Sequence, residues 1–336
     1  MKRFMFYLAA LILLSFALNA DDFARLFVQN GEPFVLDESK ELFEFSGLSL
    51  IYVDKNLDIY IGDVTAKNMK RYDKNGELVM VYGRPGQGPG ELEFPYTAIV
   101  KNEQVIINDG YAMHFSVFDK KTGKFIRTIQ KTNLVMMLMT SPEGTMYCTT
   151  VNQPGKNSIN RLNNEFQVDG TFFEPDLFTK FISFVNLVFM DFDNSGNIYV
   201  GTRYSYKIAV YNKKLELVKI FGEPGKNWNQ IKKEIQYDQS NPGEYEKETY
   251  KYTYLAEIFV LNNKHLLVIK TVPNKKTDFA LDLYDLNGKK LAEDIPSNRM
   301  IVGKDYADNI YVYSTKETGD DVQRLLCRYR LRDDIR

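Results

Sequence analysis

Hydrophobic residues in this chain fall into short β-prone runs of four to six residues, which tight-turn residues separate. The same unit of runs and turns recurs about six times, at a spacing of roughly 40–50 residues. One clear copy covers residues 59–63, 69–79 and Gly83, and a second covers residues 197–201, 208–218 and Gly222. Such a period predicts a repeat architecture built from strands. A helical solenoid is excluded, because the apolar runs are too short for helices.

Two sets of turns define the unit. The first set is Lys55-Asn56, Lys101-Asn102, Glu143-Gly144, Asn194-Ser195-Gly196, Asn262-Asn263 and Ala307-Asp308. The second set is Asn75-Gly76, Thr122-Gly123, Asn163-Asn164, Lys213-Lys214 and Asn287-Gly288. Asn and Gly accept the positive φ that two-residue hairpins need. Each unit therefore has a hairpin turn after its first strand, another after its third, and then a fourth strand.

Six first turns predict an all-β chain that folds as a six-bladed β-propeller with four-stranded antiparallel blades. The last unit, residues 300–332, has room for only about three strands. The segment 23–45 contains further β-type pieces, such as Leu26-Phe27-Val28. We predict that this N-terminal segment supplies the outer strand of the last blade, because ring closure removes exposed sheet edges.

Three motifs resemble those of bacterial exported propellers of the NHL-repeat type. They are Asp193-Asn194-Ser195-Gly196-Asn197-Ile198-Tyr199-Val200, Tyr72-Asp73-Lys74-Asn75-Gly76, and Gly83-Arg84-Pro85-Gly86-Gln87-Gly88-Pro89-Gly90-Glu91 followed by Phe94-Pro95. The last string is typical of the place where an outer strand leads into the next blade. The resemblance implies the six-bladed fold. It leaves the activity open, since similar propellers include lyases, lactonases and non-catalytic binding modules.

Residues 1–20 have the pattern of a secretory signal peptide. Lys2 and Arg3 precede an apolar run over residues 4–18, and Leu18-Asn19-Ala20 ends on a small residue. The run is shorter than a bilayer span requires. We therefore expect an exported protein, periplasmic or secreted, without a membrane span after cleavage. Residues 21–336 then form a single propeller domain, with an insertion at residues 223–254 between blades four and five.

The net charge limits the classes of binding partner, and the positions of the two cysteines bear on disulfide formation. Removal of Lys2 and Arg3 with the leader takes the formal net charge from −1 to −3. This is not the electrostatic footprint of a nucleic-acid-binding protein. Cys148 and Cys327 fall in the third and sixth repeats, on opposite sides of a ring, so we expect two buried free thiols and no disulfide.

The predicted ring has two unlike rims. The hairpins share one side, the hairpin rim, and the second-to-third-strand loops and the blade connections share the other, the long-loop rim. Function concentrates on variable loops, so we predict the binding site on the long-loop rim. The predicted ligand-binding residues are Arg84, Gln87, Arg203, Tyr204, Trp228, Tyr237 and Lys270.

The insertion carries the one Trp of the chain and several Tyr residues, and residues 231–237 could form a short helix. It is interpreted either as an aromatic contact surface or as a packing clasp over blades four and five.

Catalytic and metal signatures are weak. The Gly86–Gly90 string lacks the Gly-Lys-Ser/Thr ending of a phosphate loop, and residues 191–196 lack the Glu that closes a calcium loop. We interpret both as turns and predict no metal site and no cofactor.

The favoured hypothesis is a non-catalytic propeller that binds a peptide, glycan or protein. The alternative is a channel-centred, lactonase-like hydrolase or lyase that uses Asp63, Asp109 and His114, with calcium or another divalent ion. Arg203 and Lys270 put positive charge in the same ring, which argues against calcium there.

Overall fold

Six antiparallel sheets are arranged in sequence along the chain of the computed structural model. The structure describes residues 22–36, 51–110, 112–150, 156–175, 187–231, 242–249, 251–273, 275–318 and 321–335. The first five sheets have four strands each, in sequential order, and the sixth combines three C-terminal strands with two short N-terminal strands. The predicted six-bladed β-propeller with four-stranded antiparallel blades is confirmed.

The strands are numbered in chain order. A short 3-10 helix (Asp22–Arg25) is followed by β1 (Phe27–Gln29) and β2 (Phe34–Leu36). Blade 1 has β3 (Tyr52–Val53), β4 (Ile59–Asp63), β5 (Asn68–Tyr72) and β6 (Leu78–Tyr82). The connector to blade 2 contains β7 (Arg84–Pro85) and β8 (Glu91–Leu92). Blade 2 has β9 (Pro95–Lys101), β10 (Gln104–Asp109), β11 (His114–Asp119) and β12 (Phe125–Gln130).

The second half repeats this order. Blade 3 has β13 (Val135–Thr140), β14 (Met146–Thr150), β15 (Ile159–Leu162) and β16 (Val168–Phe172). Blade 4 has β17 (Val188–Phe192), β18 (Ile198–Thr202), β19 (Ser205–Tyr211) and β20 (Leu217–Phe221). Helix α1 (Pro242–Thr249) lies in the insertion. Blade 5 has β21 (Leu255–Leu261), β22 (His265–Val272), β23 (Lys275–Asp285) and β24 (Lys290–Ser297). Blade 6 has β25 (Met300–Lys304), β26 (Ile310–Thr318) and β27 (Asp321–Leu331).

An aspartate organises the first hairpin of three blades. In blade 4, Asp193 Oδ1 accepts the backbone N–H groups of Ser195 and Asn197, both at 2.9 Å. Its Oδ2 accepts the hydroxyl of Tyr199 at 3.3 Å, and Gly196 supplies the positive φ of the turn. The same contacts recur at Asp54 with Tyr60 and at Asp305 with Tyr311. The segment 191–196 is thus the end of β17 and the hairpin turn that follows it, which agrees with its interpretation from the sequence.

The N-terminal strands close the ring. Phe27 pairs with Leu331 in β27, and Phe34 pairs with Leu326 in the same strand. Strands β1 and β2 together take the place of the outermost strand of blade 6. The predicted closure is confirmed, and it ties the two ends of the described chain together without leaving β27 as an edge.

Packing between neighbouring blades forms the core. Every residue of β4 and of β18 is buried, whereas outer strands such as β6 and β20 are mostly exposed. Second strands lie between two blades, which explains their near-continuous apolar character. Cys148 lies in β14 and Cys327 in β27, and both are buried free thiols, as predicted. Within the described ranges, no helix has the length and apolarity needed to cross a membrane.

Two connections of the predicted long-loop rim bear on the candidate sites. The second-to-third-strand loop of blade 4 is only Arg203 and Tyr204, because β19 already begins at Ser205. The helix predicted at residues 231–237 lies outside the described residues except for Ile231, and the described helix of the insertion is α1, further along the chain.

Candidate functional site

The blade 1–2 connector carries two of the predicted binding residues. Arg84 is exposed, and its Nη2 and Nε atoms both lie 3.1 Å from Glu91 Oε1. Exposed Gln87 donates to Glu93 Oε1 at 2.9 Å. Gly88 N–H and the Arg84 guanidinium lower the pKa of Glu91. The connector is a parallel strand pair without a helix, which agrees with its interpretation as a turn.

Three further predicted residues meet where the insertion leaves blade 4. Trp228 packs edge-on against Tyr206, with ring centroids 5.1 Å apart, and donates from Nε1 to Gln230 Oε1 at 2.7 Å. Gln230 in turn donates to the backbone oxygen of buried Tyr204 at 3.0 Å. The Arg203 guanidinium lies 4.3 Å from the ring centroid of Tyr254. Tyr237 lies outside the described residues.

Hydrogen bonds join the two ends of the insertion. Asn229 accepts from Thr253 N–H at 3.0 Å and donates from Nδ2 to Lys251 O at 2.6 Å. Asn227 Nδ2 donates to Asp294 Oδ2 of blade 5 at 3.0 Å. Trp228 is half-buried against the core that blades 4 and 5 share. The described part of the insertion therefore acts as a packing clasp and also builds the edge of a cleft.

Lys270 does not present its charge to solvent. Its side chain is 2 % exposed, and Nζ lies 2.9 Å from Asp282 Oδ2 and 2.5 Å from Asp294 Oδ1. Tyr206 donates to Asp282 and accepts from the hydroxyl of Tyr284 at 2.9 Å. Burial, followed by the charge of Asp282, raises the pKa of Tyr206. This buried network joins blades 4 and 5 directly beneath the insertion.

A rim cleft of about 700 Å³ opens above this network. Asn227 and Thr253 of the insertion form one wall, and residues 296–299, at the end of β24 and in the blade 5–6 connector, line the cleft as well. Lys270 and Asp294 also line it, and their ion pair holds its polar floor in place. A cleft of this size on the long-loop rim can hold a small ligand or a short chain segment.

Asp63 and Asp109 hold loops. Asp63 Oδ1 accepts the N–H groups of Thr65 and Ala66, and Oδ2 lies 3.0 Å from Lys70 Nζ. Asp109 accepts the N–H groups of Glu93 and Phe94, at 2.7 and 3.1 Å, and so fixes the blade 1–2 connector. His114 is half-buried at the start of β11. Within the described residues, no group of three or more His, Cys, Asp or Glu could hold a metal ion.

A second cavity, which the sequence analysis did not anticipate, occupies the central channel. The first strands of all six blades, β3, β9, β13, β17, β21 and β25, line this central cavity of about 190 Å³. Its lining continues into the first hairpins, with Pro142, Asn194, Asn263 and Tyr306, so it lies towards the hairpin rim. Most of its wall is apolar, with a few polar groups. Such a cavity is the usual setting of a ligand site.

Glu257 of β21 is the most unusual group in the central cavity. Its side chain is nine-tenths buried or more, and Oε1 accepts the N–H of Ile258 at 2.9 Å. Burial, assisted by the nearby charge of Asp191, raises the pKa of Glu257 to about 8. A lone Glu within the apolar run Leu255-Ala256-Glu257-Ile258-Phe259 was the sequence signal that could have pointed here.

An ion pair and hydroxyl groups complete the cavity. Lys304 Nζ lies 2.7 Å from Asp191 Oδ2 and donates to Val260 O at 2.7 Å. Val260 N–H donates to the same Asp191 oxygen at 2.7 Å. Near the hairpin rim, the hydroxyls of Thr140 and Tyr306 are 3.3 Å apart. The pair between Lys304 and Asp191 thus ties blades 4, 5 and 6 together at the cavity wall.

The protonation of Glu257 makes the stability of the protein pH-dependent. Its folded-state pKa of about 8 lies above the ordinary value of 4.5, so the folded state keeps a proton that the unfolded state releases. The contribution of Glu257 to the free energy of unfolding is therefore highest below pH 4.5 and falls as the pH rises to about 8. From pH 6 to pH 9 we expect a loss of about 2–3 kcal/mol.

Chemical unfolding of the protein and of Glu257→Gln at both pH values measures this slope. The amide should flatten the decline and unfold at higher denaturant concentration at pH 9. Equal slopes for the two proteins would show that Glu257 is ionised in the folded state.

Comparisons with known proteins agree with this architecture. Residues 33–320 match the DUF5128 family, described as a six-bladed beta-propeller. A structure from Bacteroides fragilis, provisionally described as an exported protein, has a TM-score of 0.66 at 14% identity, covering 94% of this chain and 97% of that one. A DUF4221 member from Bacteroides vulgatus has a TM-score of 0.64 at 8% identity, covering 91% and 98%.

An enzyme is also among the similar structures. Virginiamycin B lyase from Staphylococcus aureus has a TM-score of 0.52 at 11% identity, covering 87% of each chain. At such identities the likeness concerns the fold alone. A comparison with curated protein sequences gives no match. The family match spans most of the chain, and the chain therefore belongs to the DUF5128 family of six-bladed β-propellers.

Proposed function

We propose that the protein is an exported propeller of the NHL-repeat type, periplasmic or secreted, that binds a peptide, glycan or protein without catalysing a reaction. The rim cleft is the observation that carries this proposal. It lies on the long-loop rim, and the insertion that departs from the repeat forms one of its walls. Loops on a rigid scaffold are where binding functions usually reside.

The chemistry of the cleft suits a partner that is uncharged or that carries charges of both signs. The charged residues that line the cleft are two acids, Asp22 and Asp294, and two bases, Lys270 and Arg299, so the cleft offers oriented polar groups without a net attraction for one charge. Thr271, Ser297 and Asn298 add hydrogen-bonding groups, while Pro273 and Phe279 add apolar surface. Peptides and glycans both combine apolar and hydrogen-bonding groups in this way. Nucleic acid is not expected, because a formal net charge of −3 after removal of the leader is not the electrostatic footprint of a nucleic-acid-binding protein.

A channel-centred hydrolase or lyase that uses Asp63, Asp109 and His114 is the weaker candidate. Both carboxylates already accept two backbone N–H groups, and Asp63 also pairs with Lys70. A carboxylate engaged in this way is a poor general base, because its oxygens are already occupied by the loop that it holds. Calcium binding is proposed only as part of this weaker alternative.

A blocked rim cleft tests the binding proposal. Asn298 is exposed and lines the cleft, so Asn298→Trp should fill part of it without disturbing the core. Lys214→Trp places the same bulk on an exposed turn of the hairpin rim and is the matched control. The probes are a panel of immobilised glycans and a displayed peptide library.

We expect the protein to retain at least one class of probe, and Asn298→Trp to weaken that binding by roughly tenfold or more. Lys214→Trp should bind as the unchanged protein does. Equal binding by both variants would place the site elsewhere, and retention of no probe would contradict a peptide- or glycan-binding role.

A further inference from the structure

Glu257 in the central cavity is a buried carboxyl with few polar contacts among the described residues. Its only hydrogen bond among the described residues is the one that Oε1 accepts from Ile258 N–H. No ion pair reaches it within the described part of the chain. A buried charge normally has a partner of opposite sign, because leaving water costs several kcal/mol. Without a cation the Glu257 carboxyl keeps its proton, and its position in a cavity lets a cationic ligand from outside the chain take the place of that proton.

The other carboxyl groups of the cavity are engaged. Asp191 accepts from Lys304 Nζ and from Val260 N–H. Asp308 accepts from Asn262 N–H at 2.9 Å. Asp193 and Asp305 hold the first hairpins of blades 4 and 6, as described above. Glu257 is thus the carboxyl with an oxygen available to a ligand.

The lining favours a positively charged ligand with an apolar body. Five carboxyl groups line the cavity against the single ammonium group of Lys304. Met137, Met139, Phe192 and Phe259 supply a wall of polarisable and aromatic groups, which suits a hydrocarbon attached to a cation. A volume of about 190 Å³ has room for roughly six water molecules at the density of the liquid, and so for a small organic ligand of benzene size or slightly larger.

We propose that the central cavity binds a small organic ammonium ion, with the Glu257 carboxylate as its counter-ion and the apolar inner strands around its hydrocarbon part. This site is separate from the rim cleft and does not depend on the function proposed for that cleft. The Lys304–Asp191 pair is an internal precedent, since the same cavity already holds one ammonium between a carboxylate and a backbone oxygen.

Proton release accompanies this binding. The charges of Asp191 of blade 4 and of Glu257 interact, as do Glu257 and Tyr96 of blade 2, which also lies near Arg203. The other titratable groups that line the same cavity are Tyr52 of blade 1, Asp193 of blade 4, and Lys304, Asp305, Tyr306 and Asp308 of blade 6. Strand β13 of blade 3 contributes Met, Leu and Thr but no titratable group to the lining. Burial raises the pKa values of Tyr52 and Tyr96, so both stay neutral. Glu257 is therefore the group whose charge changes between pH 6 and pH 9.

Apparent affinity should follow the ionised fraction of Glu257. With a pKa of about 8, about 1 % of the carboxyl is ionised at pH 6 and most of it at pH 8.5. The apparent dissociation constant scales inversely with that fraction, which gives a difference on the order of 100-fold. An alkylammonium stays protonated over this range, as a lysine side chain does.

Titration calorimetry with phenethylamine, at pH 6 and at pH 8.5 and constant ionic strength, tests the proposal. Phenethyl alcohol has nearly the same shape without the charge and is the ligand control. Glu257→Gln removes the counter-ion, while Glu143→Gln removes an exposed carboxylate of the hairpin rim outside the central cavity. The melting temperature of each variant is measured in the same buffers to establish that it is folded.

The amine should bind at pH 8.5, at least tenfold more weakly at pH 6, and the alcohol should not bind measurably. Glu257→Gln should lose amine binding, and Glu143→Gln should keep it. The proposal is overturned by equal amine binding in Glu257→Gln, by equal affinities at the two pH values, or by the absence of amine binding to the unchanged protein at pH 8.5.

Discussion

Replacement of Phe27 and Phe34 by alanine in one chain is expected to leave little folded protein at room temperature. Phe27 is 2 % exposed in the cluster that blades 5 and 6 share, and Phe34 is 7 % exposed in the cluster of blades 6 and 1. Each truncation should cost about 3–5 kcal/mol. The two clusters are separate, so the losses should add to about 6–10 kcal/mol, which compares with a typical total stability of 5–15 kcal/mol.

Denaturant unfolding, followed by circular dichroism, measures this effect. The matched control is Val28→Ala with Val35→Ala, which truncates the neighbouring side chains on the exposed face of the same strands. That variant should unfold within about 1 kcal/mol of the unchanged protein. Similar destabilisation of both variants would mean that the strands act through their backbone pairing with β27 and not through the two buried rings.

Replacement of Lys270 by methionine should destabilise the protein by about 3–5 kcal/mol. Its ammonium is the counter-charge of Asp282, whose side chain is fully buried, at 2.9 Å. Methionine has a similar volume but no charge, so the carboxylate would remain buried without its ionic partner. Asp282 would keep its contacts with Tyr206 and with the N–H of Asp294, which do not neutralise it.

Two comparisons separate burial from simple loss of an ion pair. Lys251 pairs with Glu248 at 2.5 Å on the surface, and Lys251→Met should leave the unfolding midpoint unchanged, because solvent screens that pair. Adding Asp282→Asn to Lys270→Met should recover part of the stability, because the uncompensated charge is then absent. A double variant that is less stable than Lys270→Met would contradict a purely electrostatic cause.

The fold could largely be predicted from the sequence, because it depends on contacts between residues that are close in the chain. The aspartate at position 193 and the glycine at position 196 define a hairpin through contacts within six residues. Asn75-Gly76 does the same for the second hairpin of blade 1, where Asp73 accepts the N–H of Asn75. Repetition of such turns fixes the number of strands and blades, and the shortage of one strand at the C-terminus predicts the closure by the N-terminal segment.

The candidate sites were harder to predict from the sequence, because they depend on which side chains of different strands and blades come into contact. Lys270 was predicted at a channel mouth, whereas its partner Asp282 lies on the next strand and Tyr206 comes from the preceding blade. Arg203, Tyr204 and Trp228, which the sequence predicts as ligand-binding residues, lie close together in a clasp whose rings and hydrogen bonds face the core, and their role in binding stays a prediction. Tyr237 lies outside the described residues.

The turn chemistry and the short β-prone apolar runs of this sequence were sufficient for a closed six-bladed ring, its two unlike rims and the burial of both cysteines as free thiols. Those features follow from contacts between residues close in the chain and from counting repeats. The central cavity and the unpaired Glu257 required the tertiary structure. Six first strands, separated by tens of residues, must converge before a cavity exists, and only their packing decides that Asp191 receives Lys304 while Glu257 receives no cation from the described residues.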